Sequence, residues 1–163
     1  MAALDVQVLM ISSVALLTKM FLTLMVQGGK RFEAGSRPPE DARFGALAKG
    51  KSQTYGVPSD RTDSNQESLE VKNAKIADIR WQRIVLNDLE NIPLGLFVCL
   101  MSVISNGNVT ANSVLILSFT ISRIGHTIAY AYCLQPYRSY AWGIAVISVF
   151  AIGINGIVGS FTQ

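Results

Sequence analysis

Arg80, Arg83, Asn87 and Glu90 are the first residues in this chain whose types and spacing suggest chemistry. At about 100° per residue they fall within an arc of roughly 80° on one helical face. The helix carrying them runs on into Leu94–Ile104, which is almost wholly apolar. A membrane span takes roughly 20 mostly apolar residues, and Ile92–Ile104 alone is too short. The helix must therefore begin upstream, bringing Asn87, Asp88, Glu90 and Asn91 into or near the bilayer. Lipid solvates ionisable groups poorly, so at that depth they face a bundle interior or a wet cavity. Such a stripe is either a binding site or an ion-pair network that fixes helix packing. The stripe alone admits both readings.

A second set lies further on. Arg123, His126, Thr127 and Tyr130 are spaced by three, one and three residues, which puts all four on one helical face. If the two helices are antiparallel neighbours, both polar stripes lie toward the same side of the membrane, and packing alone accounts poorly for that coincidence. His126 is the one histidine in the chain. An isolated histidine in a span is usually a hydrogen-bonded structural group, and with no second one metal catalysis is not expected. Cys99 and Cys133 have neither a metal-ligand neighbour nor a Cys-x-x-Cys partner, so no disulfide or metal site is expected, and Cys99 reads as a packed apolar residue.

The elements that position these residues read as four membrane helices. Half of the 163 residues are hydrophobic and 15% are charged, with a mean hydropathy of +0.34, which suits a small polytopic membrane protein better than a soluble domain. Spans are expected at about residues 6–26, 75–104, 111–132 and 137–161, within a single domain over 1–163. The first has no basic leader and no small-residue cleavage site, so it reads as a retained helix. Lys19 interrupts it, either snorkelling to the interface or meeting a carboxylate on another helix; an inward or interfacial position is favoured. Pro93 should kink the second span unless neighbours compensate. Gly143, Gly153, Gly156 and Gly159 in the fourth either permit close helix approach or are simply tolerated.

Residues 27–74 form a hydrophilic connection, polar and expected to be mobile over Ser59–Glu70. Ten of the fourteen lysines and arginines lie between Lys30 and Arg80, whereas the turn Ser105–Asn108 has none. That asymmetry puts the 27–74 loop on the cytosolic side and the termini on the other. The bases are scattered among acids with no reader motif, so nucleic-acid binding is not expected. Asn108-Val109-Thr110 fits a glycosylation sequon but sits close to the membrane. Short turns after the second and third spans imply an all-α, up-down four-helix bundle.

Arg83 followed by Leu86-Asn87-Asp88-Leu89-Glu90-Asn91-Ile92 resembles the signature of the MAPEG family, the membrane-associated proteins of eicosanoid and glutathione metabolism. His126-Thr127-Ile128-Ala129-Tyr130, preceded by Arg123, resembles its third-helix motif. Lys19-Met20, Pro39-Glu40-Asp41 and Gln135-Pro136-Tyr137-Arg138 resemble the branch that holds microsomal glutathione transferase 1 and prostaglandin E synthase. The likeness covers nearly the whole chain except the polar insert around Gly50–Asn73. It departs at Val85, where the branch has histidine, at Gln82, where a base is common, and after Glu90, where Pro93 directly follows Ile92.

The resemblance implies a homotrimer in the endoplasmic reticulum or mitochondrial membrane that binds glutathione between subunits near the cytosolic face. By position Arg83, Asn87, Glu90, Arg123, His126 and Tyr130 would contact the peptide, with Arg138 and Ser139 at its sulfur. Arginine forks suit its two carboxylates and Glu90 its amine. A free thiol has a pKa of about 8.5 and reacts as the thiolate, which a nearby guanidinium and hydroxyl favour; Tyr130 is the second candidate donor. The implied activity is conjugation of glutathione to hydrophobic electrophiles arriving from the bilayer, with peroxidase action on lipid hydroperoxides. The alternative is a non-catalytic subunit of a larger membrane assembly. A channel or transporter fits less well, for want of broken helix pairs or internal symmetry.

Overall fold

The computed structural model describes residues 2–57 and 68–162, and over them the chain is helical. The elements are α1 (Leu4–Ala34), a 3-10 turn (Pro39–Arg43), a single-turn α2 (Gly45–Ala48), α3 (Leu69–Ile104), α4 (Val109–Ala131) and α5 (Tyr137–Phe161). Four of these helices, α1, α3, α4 and α5, are long and apolar enough to cross a membrane. The expected spans are recovered, but α1 and α3 continue well beyond their apolar stretches. Most of the segment expected to be mobile lies outside the described residues, and its last two, Leu69 and Glu70, open α3. Helix α3 is continuous through Pro93.

The chain forms two compact units, one of Met1–Phe21 with Leu86–Gln163 and one of Leu22–Val85. In the first, four helices pack in layers. One apolar layer joins Leu9 of α1, Cys99 of α3, Ile116 of α4 and Ile152 of α5. The next joins Leu16, Ile92, Phe119 and Ala145, again one residue from each helix. Cys99 is packed, as its sequence context implies. Numbering falls along α3 and α5 as it rises along α1 and α4, so sequential helices are antiparallel and the bundle is up-down.

Among the buried residues of this unit one set recurs in steps of three and four: Asp5, Leu9, Ser12 and Leu16 on α1, Asp88, Ile92, Gly95, Cys99 and Ser102 on α3, and Asn112, Ile116, Phe119, Arg123 and His126 on α4. This is the narrow seam of a coiled-coil-like bundle. It is rich in small and polar residues, while Met10, Ile11, Phe97, Ile121, Ile147 and Phe150 are exposed on the outside. That inversion suits lipid, which solvates apolar side chains as well as a protein core does.

A polar layer closes one end. Asn112 donates from Nδ2 to Asp5 Oδ2 (3.1 Å), and its Oδ1 accepts from Ser102 Oγ (2.7 Å) and Asn155 Nδ2 (2.8 Å). Here α5 approaches closely. A Cβ on Gly159 would lie 2.6 Å from the Gly107 nitrogen and Ser105 oxygen, whereas one on Gly143 would meet nothing within 4 Å. The glycines of α5 thus divide, the last two being demanded by close approach. Gly159→Ala is expected to lower stability by about 1–3 kcal/mol through overpacking, while Gly143→Ala should leave it equal or slightly higher. Thermal unfolding of the two variants in detergent checks the contrast.

In the second unit α1 ends at Gly35, whose φ of +71° closes a Schellman motif with Gly35 N on Phe32 O (3.2 Å) and Ser36 N on Arg31 O (2.9 Å). Buried Gln53 then ties the following segment down, donating to Phe32 O (3.2 Å) and accepting from Arg37 N (3.3 Å).

Candidate functional site

At the opposite end of the bundle a second polar layer contains three charged groups. Asp88 of α3 is 1% exposed and Arg123 of α4 is fully buried. Arg123 Nη2 donates to Asp88 Oδ1 (2.6 Å) and to Asn87 Oδ1 (2.8 Å). Lys19 Nζ of α1 donates to the other carboxylate oxygen, Asp88 Oδ2 (2.5 Å). One carboxylate therefore serves two cations from two other helices. Lys19 takes the inward position.

The layer remains rich in donors. Nε and Nη1 of Arg123, Nδ1 of His126 and Oγ1 of Thr127 are buried and have no hydrogen-bond partner among the described residues. Buried polar atoms are paired in the great majority of cases, so a run of unpaired ones on a single helix face is unusual. A guanidinium with two idle N–H edges is suited to an anion.

From this layer the site runs along α4 to its end. The rings of His126 and Tyr130 meet edge to face, with centroids 5.8 Å apart. Helix α4 closes with Leu134 N on Ala129 O (2.8 Å) and Cys133 N on Tyr130 O (3.2 Å), and α5 opens at once with Ser139 N on Pro136 O (2.9 Å). This tight turn carries Arg138 back over α4, where its guanidinium lies 4.4 Å from the centre of the Tyr130 ring, a cation–π contact.

Arg123, His126 and Tyr130 thus share one face of α4, with Asn87 bonded to the first and Arg138 lying over the last. Ser139 is exposed and its Oγ accepts from Gln135 Nε2 (3.2 Å). Glu90 is exposed and, with Asn91, Phe119, Ala145 and Phe150, lines a groove of about 170 Å³. Arg83 belongs to the second unit, exposed beside the buried Ile84.

The stripe read from the sequence is therefore the rim of α3. Its inward face, one or two residues further on, carries Asp88 and Ile92. Asp88 is the ionisable group that the stripe passed over, and the signal that finds it is the alternation of threes and fours along the buried seam.

No curated protein matches the chain. The profile of the MAPEG family matches residues 9–158, from the first apolar layer of α1 almost to the end of α5 and across every polar residue just described. The chain belongs to the MAPEG family, as an integral membrane protein.

Proposed function

We propose that the chain is a membrane-bound glutathione transferase that joins the peptide's sulfur to hydrophobic electrophiles and reduces lipid hydroperoxides, as in the microsomal glutathione transferase branch. MAPEG membership is consistent with that activity, though the family also has members that are not transferases. The observation that carries the reading is the charge of the polar end. Lys19 and Arg123 converge there on a single buried carboxylate, Asp88, and a third cation, Arg138, lies over the Tyr130 ring further along α4. Glutathione brings two carboxylates, and a third negative charge once its thiol ionises, so it supplies what this end lacks.

In this reading the peptide lies along Asn87, Arg123, His126 and Tyr130, with its amine on Glu90. Arg138 faces the sulfur, helped by Ser139. The thiolate attacks an electrophilic carbon, the leaving group departs with the bonding pair, and the thiol proton passes to water. The exposed groove beside Glu90 supports a homotrimer. A carboxylate on the outside of a span is costly in lipid, and a neighbouring subunit would cover it and complete the site. The basic 27–74 loop supports a cytosolic orientation for this end, in the endoplasmic reticulum or mitochondrial membrane.

One observation favours a second reading, a non-catalytic subunit of a larger membrane assembly. Arg123 is fully buried and paired with Asp88, and Val85 and Gln82 depart from the histidine and the base of the branch that the sequence resembles. Titration calorimetry of the detergent-purified protein separates the two. Saturable glutathione binding, with a raised unfolding temperature, supports the transferase. Absence of both, with fixed-ratio co-purification of other proteins, selects the subunit.

A further inference from the structure

The second unit holds a cavity of about 400 Å³, distinct from the polar end of the bundle. Its walls include Lys30 and Glu33 of α1, Leu47 of α2, Lys49 and Lys51 beyond it, and Glu70 of α3. Three ammonium groups face two carboxylates, and the carboxylates are unequally engaged. Lys30 Nζ sits 2.7 Å from Glu33 Oε2. Lys51 Nζ donates to the Glu33 backbone oxygen (3.2 Å) and reaches the 84% exposed Glu70 side chain only at 3.5 Å. Lys49 is exposed and forms no ion pair with any described residue. Among the described walls one positive charge is therefore in excess.

Its level in the membrane is fixed by α1. The apolar run ends at Val26, and Lys30 lies four residues, about 6 Å, beyond it along the same helix. The headgroup zone of each leaflet is about 5–7 Å deep, so the cavity opens at that depth. Beside it Phe44 and Leu47 are 60% and 56% exposed while Ala48 is 2% exposed. The turn is thus anchored by its alanine and presents two large apolar side chains outward. Apolar side chains adjoining lysines at the membrane surface mark a segment that rests in the acyl–headgroup boundary.

We propose that this cavity binds the phosphate-bearing headgroup of an anionic phospholipid, with Lys30, Lys49 and Lys51 supplying the charge and Phe44 and Leu47 meeting the acyl chains. A free phosphate ion shares the charge but makes no use of the apolar pair, so the lipid is the occupant. The site is independent of the glutathione reading and stands or falls without it.

The test uses the full chain in uncharged detergent with three probes: dioctanoyl phosphatidic acid, dioctanoyl phosphatidylcholine and inorganic phosphate. Thermal unfolding and native mass spectrometry provide the readouts. Phosphatidic acid is expected to raise the unfolding temperature and to bind at one per chain, the other two to do neither. Lys51→Ala would also loosen the turn held on Glu33, so the decisive variant is Lys49→Ala. It should weaken phosphatidic acid binding about fivefold, the worth of one lysine at a charged membrane surface, and Lys49→Arg should restore it. Equal binding of phosphatidylcholine, an equal response to phosphate alone, or wild-type affinity in Lys49→Ala overturns the proposal.

Discussion

Asp88→Ala is expected to destabilise the bundle by about 3–5 kcal/mol, the cost of leaving buried charge without its counter-ion. Lys19 and Arg123 would remain inside the helices facing the space that the carboxylate filled. The readout is the yield of monodisperse protein in detergent and its unfolding temperature, and marginal stability makes a loss of this size visible in both. The companion variant replaces the three charges together, as Lys19→Met, Asp88→Leu and Arg123→Met. An apolar substitute for a buried ion-pair network is often neutral or stabilising, so the triple variant should fold where the single one does not. It also separates structure from function. If it folds and no longer binds glutathione, the layer belongs to the site as well as to the packing. If it folds and binds as before, Arg123 is a packing residue only, and the peptide must rest on Arg138 and the rim of α3.

The spans were legible because lipid demands long apolar runs, and 20 residues of hydropathy are hard to mistake. Which face of each helix turns inward was much less legible. In a soluble protein the apolar stripe marks the core, but in this chain Ser12, Asp88, Asn112 and Ser148 are buried while Ile11, Phe97, Ile121, Ile147 and Phe150 face outward. Charge spacing on α3 consequently drew attention to Arg83 and Glu90, both exposed, and away from Asp88. The polar stripe of α4 fared otherwise. Arg123 and His126 are both buried, because that stripe coincides with the seam. Lys19 had two possible positions in the sequence, and only a carboxylate on another helix could decide between them. The apolar run that marks the first span stops at residue 26, short of the end of its helix. The helix continues to Ala34, held by the burial of Phe32 and the bond from Gln53 to its backbone oxygen. That bond joins residues 21 positions apart, and no local pattern announces it.

Arg138→Ala tests the proposed chemistry more directly, because little of the fold depends on that side chain. Arg138 is half-exposed, and the contact described for its guanidinium is with the face of the Tyr130 ring. Removing a donor aimed at developing negative charge costs on the order of 10²–10³ in turnover, so conjugation of glutathione to an aryl halide should fall by that factor while the unfolding temperature barely moves. A guanidinium beside the sulfur favours the thiolate over the thiol. Without it the bound thiol's pKa rises back toward about 8.5, and the rise of rate with pH moves to higher pH. Tyr130→Phe discriminates between the two candidate donors. It keeps the ring on which Arg138 rests and removes only the hydroxyl, so a small effect leaves the sulfur to Arg138, whereas a loss as large as that of Arg138→Ala transfers the role to Tyr130. Unchanged turnover in both variants would remove this end of α5 from the reaction, since no other group in the α4–α5 turn offers a fixed positive charge to a thiolate.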